Sequence, residues 1–227
     1  VYNPSTGKYS VFAEVPNAVR SINEFREDVN WDEMAATGKV TYSPIDCLTL
    51  NAVGGMKLFS HFNGAYATKD FDENQMNGQA WRNTSMNKTY NAELYGQYSK
   101  RFGKHDVTAV AGYSYFSYNG QSLNTYNYDF PTDSFEYNNM GLGLALKEGN
   151  ATMSTNRTMN KLVSFFARVN YSYADKYIAA LSLREDGSSK FGPNNRWGTF
   201  WSISGAWRIS QENFMQNVSW IDELKLK

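Results

Sequence analysis

"LVSFFARVNYSYADKYIAALSLRE", residues 162–185, is two alternating runs joined by the short turn "ADK" (174–176). In the first run Val163, Phe165, Ala167, Val169, Tyr171 and Tyr173 share one parity, and Ser164, Arg168, Asn170 and Ser172 share the other. Side chains on a strand alternate between its two faces, so period two reads as a strand with one apolar and one polar face. The run "YIAALSLRE" (177–185) repeats the pattern. A wet stretch follows, "DGSSKFGPNNRWG" (186–198), and then "TFWSISGAWRI" (199–209) alternates again, with Trp201 and Trp207 on one face. Long apolar faces on consecutive strands, joined in turn by a tight link and a polar loop, point to an all-β meander.

Four more runs lie upstream: "AATGKVTYS" (35–43), "LTLNAVGGMKL" (48–58), "KTYNAELYGQYS" (88–99) and "VTAVAGYSYFS" (107–117), the last apolar on both sides. An eighth strand starts in the terminal "LKLK" (224–227). The links "PID" (44–46), "KRFGKHD" (100–106) and "ADK" are short, whereas 59–87, 118–161 and 186–198 are long and polar. Short and long alternate strictly. That is the pattern of an up-and-down sheet whose two ends face different surroundings, as in outer-membrane barrels with short periplasmic turns and long outer loops. The strand lengths agree, since a tilted membrane-crossing strand needs about 9–11 residues and an ordinary one about 5–6. Tyr42, Tyr98, Phe102, Tyr173, Tyr177 and Trp207 fall near the short-turn end, where an aromatic belt would meet a membrane interface.

Composition narrows the classes further. The chain has 227 residues, with 22 Lys plus Arg against 22 Asp plus Glu, so no global field favours nucleic acid. Aromatics make up 16%, which suits strands better than packed helices. Cys47 is the single cysteine and cannot form an intramolecular disulfide. No apolar run approaches the roughly 18 residues of a membrane helix, which excludes a helical membrane protein but not a barrel. The opening "VYNPSTGKYS" carries neither the charged nor the apolar part of a leader peptide, so none is expected.

"SLREDGSSKFGPNNRWGTFWSISGAWRISQENFM" (182–215), followed by "WIDELKLK" (220–227), resembles the late barrel region of the SusC/RagA family of TonB-dependent outer-membrane transporters. The hairpin "FFARVNYSYADKYIAALSLR" (165–184) fits the same pattern, so the resemblance covers about 161–227. Glu185 and Trp201 depart from it. The resemblance implies part of a large antiparallel transmembrane β-barrel, about seven strands of an expected total of about 22. On that reading residues 1–227 are one partial barrel domain without a plug, multi-pass in a bacterial outer membrane. Implied partners are a SusD-like surface lipoprotein, the TonB complex through an N-terminal part, the rest of the barrel and plug, membrane lipid, and an oligosaccharide or peptide cargo. No catalysis and no cofactor are implied. A soluble carbohydrate-binding β-module and a passive porin segment remain the competing classes.

Motifs that carry chemistry are sparse. His61 and His105, the two histidines, lie in a loop and at a turn, a poor basis for a triad or a two-histidine metal site. "GLGLAL" (141–146) lacks the third glycine of a phosphate loop. "DFDEN" (70–74) starts like a calcium loop at Asp70, Asp72 and Asn74 but has Gln75 and Trp81 where Gly and Glu are needed. "SQENFMQNVSWIDELK" (210–225) has mild helical character. Arg168, Arg184 and Arg208 lie on the more polar strand faces, where lining a lumen and salt bridging to a plug or neighbouring strands are equal expectations. Arg196 and Trp197 are the candidate substrate-binding residues, since rings stack on sugars and guanidinium groups bond hydroxyls. The bland reading has them bracing the loop against the barrel rim.

Overall fold

A computed structural model describes residues 2–10, 17–71, 76–215 and 220–227. Its main feature is an eight-stranded sheet made of β3 (Phe25–Ile45), β4 (Leu48–Ala67), β5 (Gln79–Phe102), β6 (His105–Tyr128), β7 (Thr152–Tyr173), β8 (Tyr177–Ser188), β9 (Trp197–Arg208) and β10 (Lys225–Leu226). Every strand lies beside its predecessor, in the order β10-β9-β8-β7-β6-β5-β4-β3. The sheet is the antiparallel meander expected. Before it come a two-strand ribbon, β1 (Tyr2–Asn3) with β2 (Lys8–Tyr9), and one short helix, α1 (Ala18–Glu24). Neither carries an alternating pattern. The helix is started by Asn17, whose side chain accepts from Val19 N and Arg20 N at 3.1 and 3.3 Å. Among the described residues no helix is long and apolar enough to cross a membrane, which says nothing of strands.

Strands β3 to β7 are 20 to 24 residues long, about twice the expected span. The extra length lies in stretches read from the sequence as loop. "HFNGAYA" (61–67) belongs to β4, "QAWRNTSMN" (79–87) to β5, and "QSLNTYNY" (121–128) to β6. Polar and apolar residues are mixed on both parities in 79–87 and 121–128, and 61–67 is short and rich in small residues, so none of them gives a clean alternation to detect. The true long connections shrink to 68–78, 129–151 and 189–196.

Contact density divides the chain into two units. Unit 1 comprises 1–34, 58–88 and 119–158, and unit 2 comprises 35–57, 89–118 and 159–227. Unit 1 has an ordinary aromatic core of Tyr66, Ala80, Phe130 and Tyr137, with Phe62, Met140 and Leu142 packed against it.

Unit 2 is organised the other way round. Register places Val169 opposite Leu181 and Leu181 opposite Ile203, one row of a single face, and these residues are 42%, 52% and 72% exposed. The next row on that face is Ala167, Leu183 and Trp201. Between them on the reverse face lies the row Arg168, Ser182 and Ser202, where the two serine hydroxyls meet at 2.8 Å. One face of these strands is thus apolar and exposed, and the opposite face carries the hydroxyl pair.

The tight links follow from backbone geometry. Gly103 turns the β5–β6 link at φ 59°, and the β7–β8 link puts Ala174 and Asp175 at φ 51° and 59°. Two successive left-handed residues match the twist of a hairpin, though such a backbone costs a non-glycine residue about 1–2 kcal/mol. Bonds between neighbouring links offset that cost: Ala174 N donates to Lys104 O at 2.6 Å, and Arg101 pairs with Asp175 at 2.5 Å.

Candidate functional site

Of the two residues singled out from sequence, Arg196 ends the loop and Trp197 begins β9. Loop 189–196 closes with a 3-10 turn at Pro193–Asn195, and Ser188 N donates to Arg196 O at 2.8 Å. Trp197 then starts β9 opposite Gly187 on the apolar face. Its ring lies so close over Gly187 that a Cβ there would sit 2.8 Å from it, and it stacks with Phe165 at 6.3 Å and 24°. Phe165, Ala167, Leu183 and Trp197 line a shallow recess of about 630 Å³. An indole in such a place is suited to an interfacial anchor, apolar in body and wet at its N–H. Arg196 stays in the loop, exposed.

Sequence reading missed the most built part of unit 1, the folded connection 129–151. Three 3-10 turns, Glu136–Asn138, Met140–Leu142 and Leu144–Leu146, shape it, and the last two use the "GLGLAL" stretch. Buried Asn127 holds it from inside, donating through Nδ2 to Met140 O and Gly143 O at 2.7 and 3.0 Å. Gly143 is obligatory, because a Cβ there would lie 2.5 Å from Asn127 Nδ2. Phe130 N donates to Asn77 O at 2.8 Å, and Asn77 Nδ2 to Asp129 Oδ1 at 2.6 Å, so two connections brace one another.

Tyrosine–carboxylate bonds fasten this connection to the strands. Tyr66 OH donates to Asp133 Oδ1 at 2.7 Å, and Tyr137 OH donates to Asp28 Oδ2. The bond to Asp28, and then burial, push the Tyr137 hydroxyl above its usual range. Arg26 bridges Asp28 and Glu136 at 3.0 and 3.3 Å, but it is well exposed and such pairs contribute about 0–1 kcal/mol. The available signal in the sequence was the set of large apolar residues in 129–151, among them Phe130, Tyr137, Met140 and Leu142. Phe25, Phe71, Trp81, Tyr126 and Tyr128 form a chain of rings with centroids 5.1 to 6.3 Å apart, a half-buried aromatic surface able to stack on flat ligands.

At the short-turn end of unit 2, Tyr173, Tyr177 and Trp207 stack in a row at 6.4 Å spacings. Their keeper is Glu212, which pairs with Lys176 Nζ at 2.9 Å and accepts from Tyr177 OH at 2.7 Å and Trp207 Nε1 at 3.1 Å. The segment read as mildly helical forms 3-10 turns at Ile209–Gln211 and Asn213–Met215 instead, because Glu212 holds the chain to the rim; 216–219 lie outside the described residues. Bonds from Lys176, Tyr177 and Trp207 lower the Glu212 carboxyl from 4.5 to about 2. A depressed carboxyl contributes its full stabilisation above the unfolded value near 4.5 and loses it as pH falls toward about 2. Protection of the 209–215 amides, taken relative to their intrinsic exchange at each pH, is therefore expected to hold down to about pH 4.5 and to fall below it. In Glu212→Gln that acid-dependent step should vanish. An unchanged step in the variant would show that another group controls it.

His61 lies within β4, and His105 opens β6 with its ring nitrogen 2.7 Å from Tyr171 OH. Among the described residues no group of three or more His, Cys, Asp or Glu is arranged to hold a metal ion, and Asp72, Asn74 and Gln75 of the calcium-like stretch lie outside them. Arg168 and Arg184 share the polar face of unit 2; Arg184 pairs with Asp186 at 2.7 Å and reaches buried Ser164 at 3.1 Å. Arg208 approaches Glu223 at 3.7 Å.

No family model matches the chain. Over 166 residues it is 36% identical to TonB-dependent receptor P39 of Formosa agariphila, an alignment covering 70% of this chain and 15% of that protein. TonB-dependent receptor SusC of Bacteroides thetaiotaomicron is 36% identical over 147 residues, covering 62% of this chain and 13% of the relative. The chain thus spans about a seventh of the curated relatives it matches. Among solved structures, the RagAB peptide transporter superposes with a TM-score of 0.81 at 22% identity, over 96% of this chain and 24% of that one. The RagAB peptide importer in its open-open state gives 0.81 at 23%, again over 96% and 24%. At that identity the likeness is one of fold.

Proposed function

This chain belongs to the SusC/RagA family of TonB-dependent outer-membrane transporters, and from that premise we propose that it supplies part of the wall and the outer loops of an energised importer of oligosaccharides or peptides. Residues 1–227 act as one partial barrel domain in a bacterial outer membrane. Cargo is captured outside beneath a SusD-like lipoprotein, and a TonB-driven plug, contributed elsewhere in the transporter, opens the lumen. No step of this requires catalysis by the chain.

The observation that carries the reading is the outward row Val169, Leu181 and Ile203 backed by Arg168, Ser182 and Ser202. Water would penalise such a face at about 25 cal/mol per Å² of apolar area, whereas lipid accepts it. A soluble carbohydrate-binding module has no reason to expose it. A passive porin would, but the relatives are named as TonB-dependent receptors. The folded connection 129–151 and loop 189–196 face the outer medium in this reading, the "ADK" turn faces the periplasm, and Trp197 anchors the outer interface.

Block substitution tests the orientation. Changes of the exposed residues in 189–196 or 129–151 are expected to reduce cargo uptake or lipoprotein association severalfold, and comparable changes in 174–176 to leave both near normal. Equal losses at the two ends would overturn the assigned sidedness.

A further inference from the structure

Unit 1 holds an open cleft of about 410 Å³ in which Ser60, Thr84, Gln121, Ser122, Thr155 and Arg157 present polar groups beside the apolar Met86 and Leu123. That volume falls within the roughly 300–1,000 Å³ of small-molecule clefts. Hydroxyl and carboxamide groups both donate and accept, which is what recognition of a hydroxyl-rich ligand demands. The wall contains no Asp or Glu. Its one charge is Arg157, whose Nε points to Asn119 Oδ1 at 3.4 Å and which has no carboxylate partner among the described residues. That contact uses Nε, and leaves the two terminal nitrogens to grip an anion in the forked manner guanidinium groups favour.

From this chemistry we propose that the cavity binds an acidic saccharide, with the hydroxyl and amide groups holding the ring and Arg157 holding its carboxylate. The binding stands on the cavity alone: along β7 Thr155 and Arg157 share the parity of Phe165 and Val169, so the ligand is placed on the strand face that the function proposed above turns away from the lumen. The same chemistry is offered by a free uronic-acid oligomer and by the acidic sugars of an outer-leaflet glycolipid.

The test uses the full-length transporter in detergent, titrated with trigalacturonate and with neutral galactotriose. Trigalacturonate is expected to bind more tightly, and Arg157→Gln to weaken it about tenfold or more while leaving the neutral sugar unchanged. Thr84→Val, which removes a hydroxyl and no charge, should weaken both sugars alike. Competition by lipopolysaccharide micelles that is lost in Arg157→Gln would assign a lipid-borne ligand; its absence beside trigalacturonate binding would assign a free one. Equal affinity of the parent for the two sugars, or unchanged trigalacturonate binding in Arg157→Gln, would overturn the site. Failure of the parent to reach the outer membrane as a folded barrel would instead overturn the importer reading.

Discussion

Val169→Arg is expected to abolish most folded barrel in the outer membrane, and Leu181→Arg to do the same. The two residues are direct cross-strand partners, and Ile203 extends their row on the same face. A cation placed on the lipid side near the midplane costs about 2–4 kcal/mol, whereas a lumen-facing position has water and polar neighbours. Asn170→Arg and Ser182→Arg, each one residue further along, should therefore assemble at parental levels. Moving one position reverses the face, which makes the comparison sharp. The measurement is the heat-modifiable species in outer membranes for each variant. Loss of Asn170→Arg with survival of Val169→Arg would mean that the lipid and lumen sides are interchanged.

Phe130→Ala should release the connection 129–151 while leaving the strands of unit 2 intact. Phe130 is 1% exposed and meets Tyr66 edge-on at 5.6 Å, so truncation removes an aromatic ring from a filled site. Such a change costs about 3–5 kcal/mol. Tyr66→Phe keeps the ring and deletes only the hydroxyl bond to Asp133, an effect of about 1 kcal/mol, because Asp133 retains Lys69 N as a donor at 3.4 Å. Amide exchange in 129–151 should rise steeply in the first variant and slightly in the second. Equal protection in Phe130→Ala and the parent would refute a cooperative core in unit 1.

How much of this was legible in the residues follows from where the two faces of a strand differ. In "LVSFFARVNYSY" one parity is apolar and the other mostly polar, so strand identity and pairing partner could be read, and register agrees. In "QAWRNTSMN" polar and apolar residues are mixed on both parities, and the alternation becomes readable only from about residue 88, whereas β5 starts at Gln79. Nothing local distinguishes a hydrogen-bonded strand from a loop there, because the pairing partner, not the side-chain pattern, makes it a strand.

Determined by sequence alone were the all-β class, the meander with its long connections at one end, and the aromatic row of Tyr173, Tyr177 and Trp207. All of these depend on neighbours two residues apart or one turn away. Tertiary structure decided what contact across the chain creates: the core of Tyr66 and Phe130, the tie of Tyr137 to Asp28 over 109 positions, and the hold of Glu212 on Lys176. It also placed Trp197 against Phe165 and gathered Thr84, Gln121 and Arg157 around one cavity. Side chains far apart in sequence carry no mark of one another, and only closing the strands side by side gives them a distance.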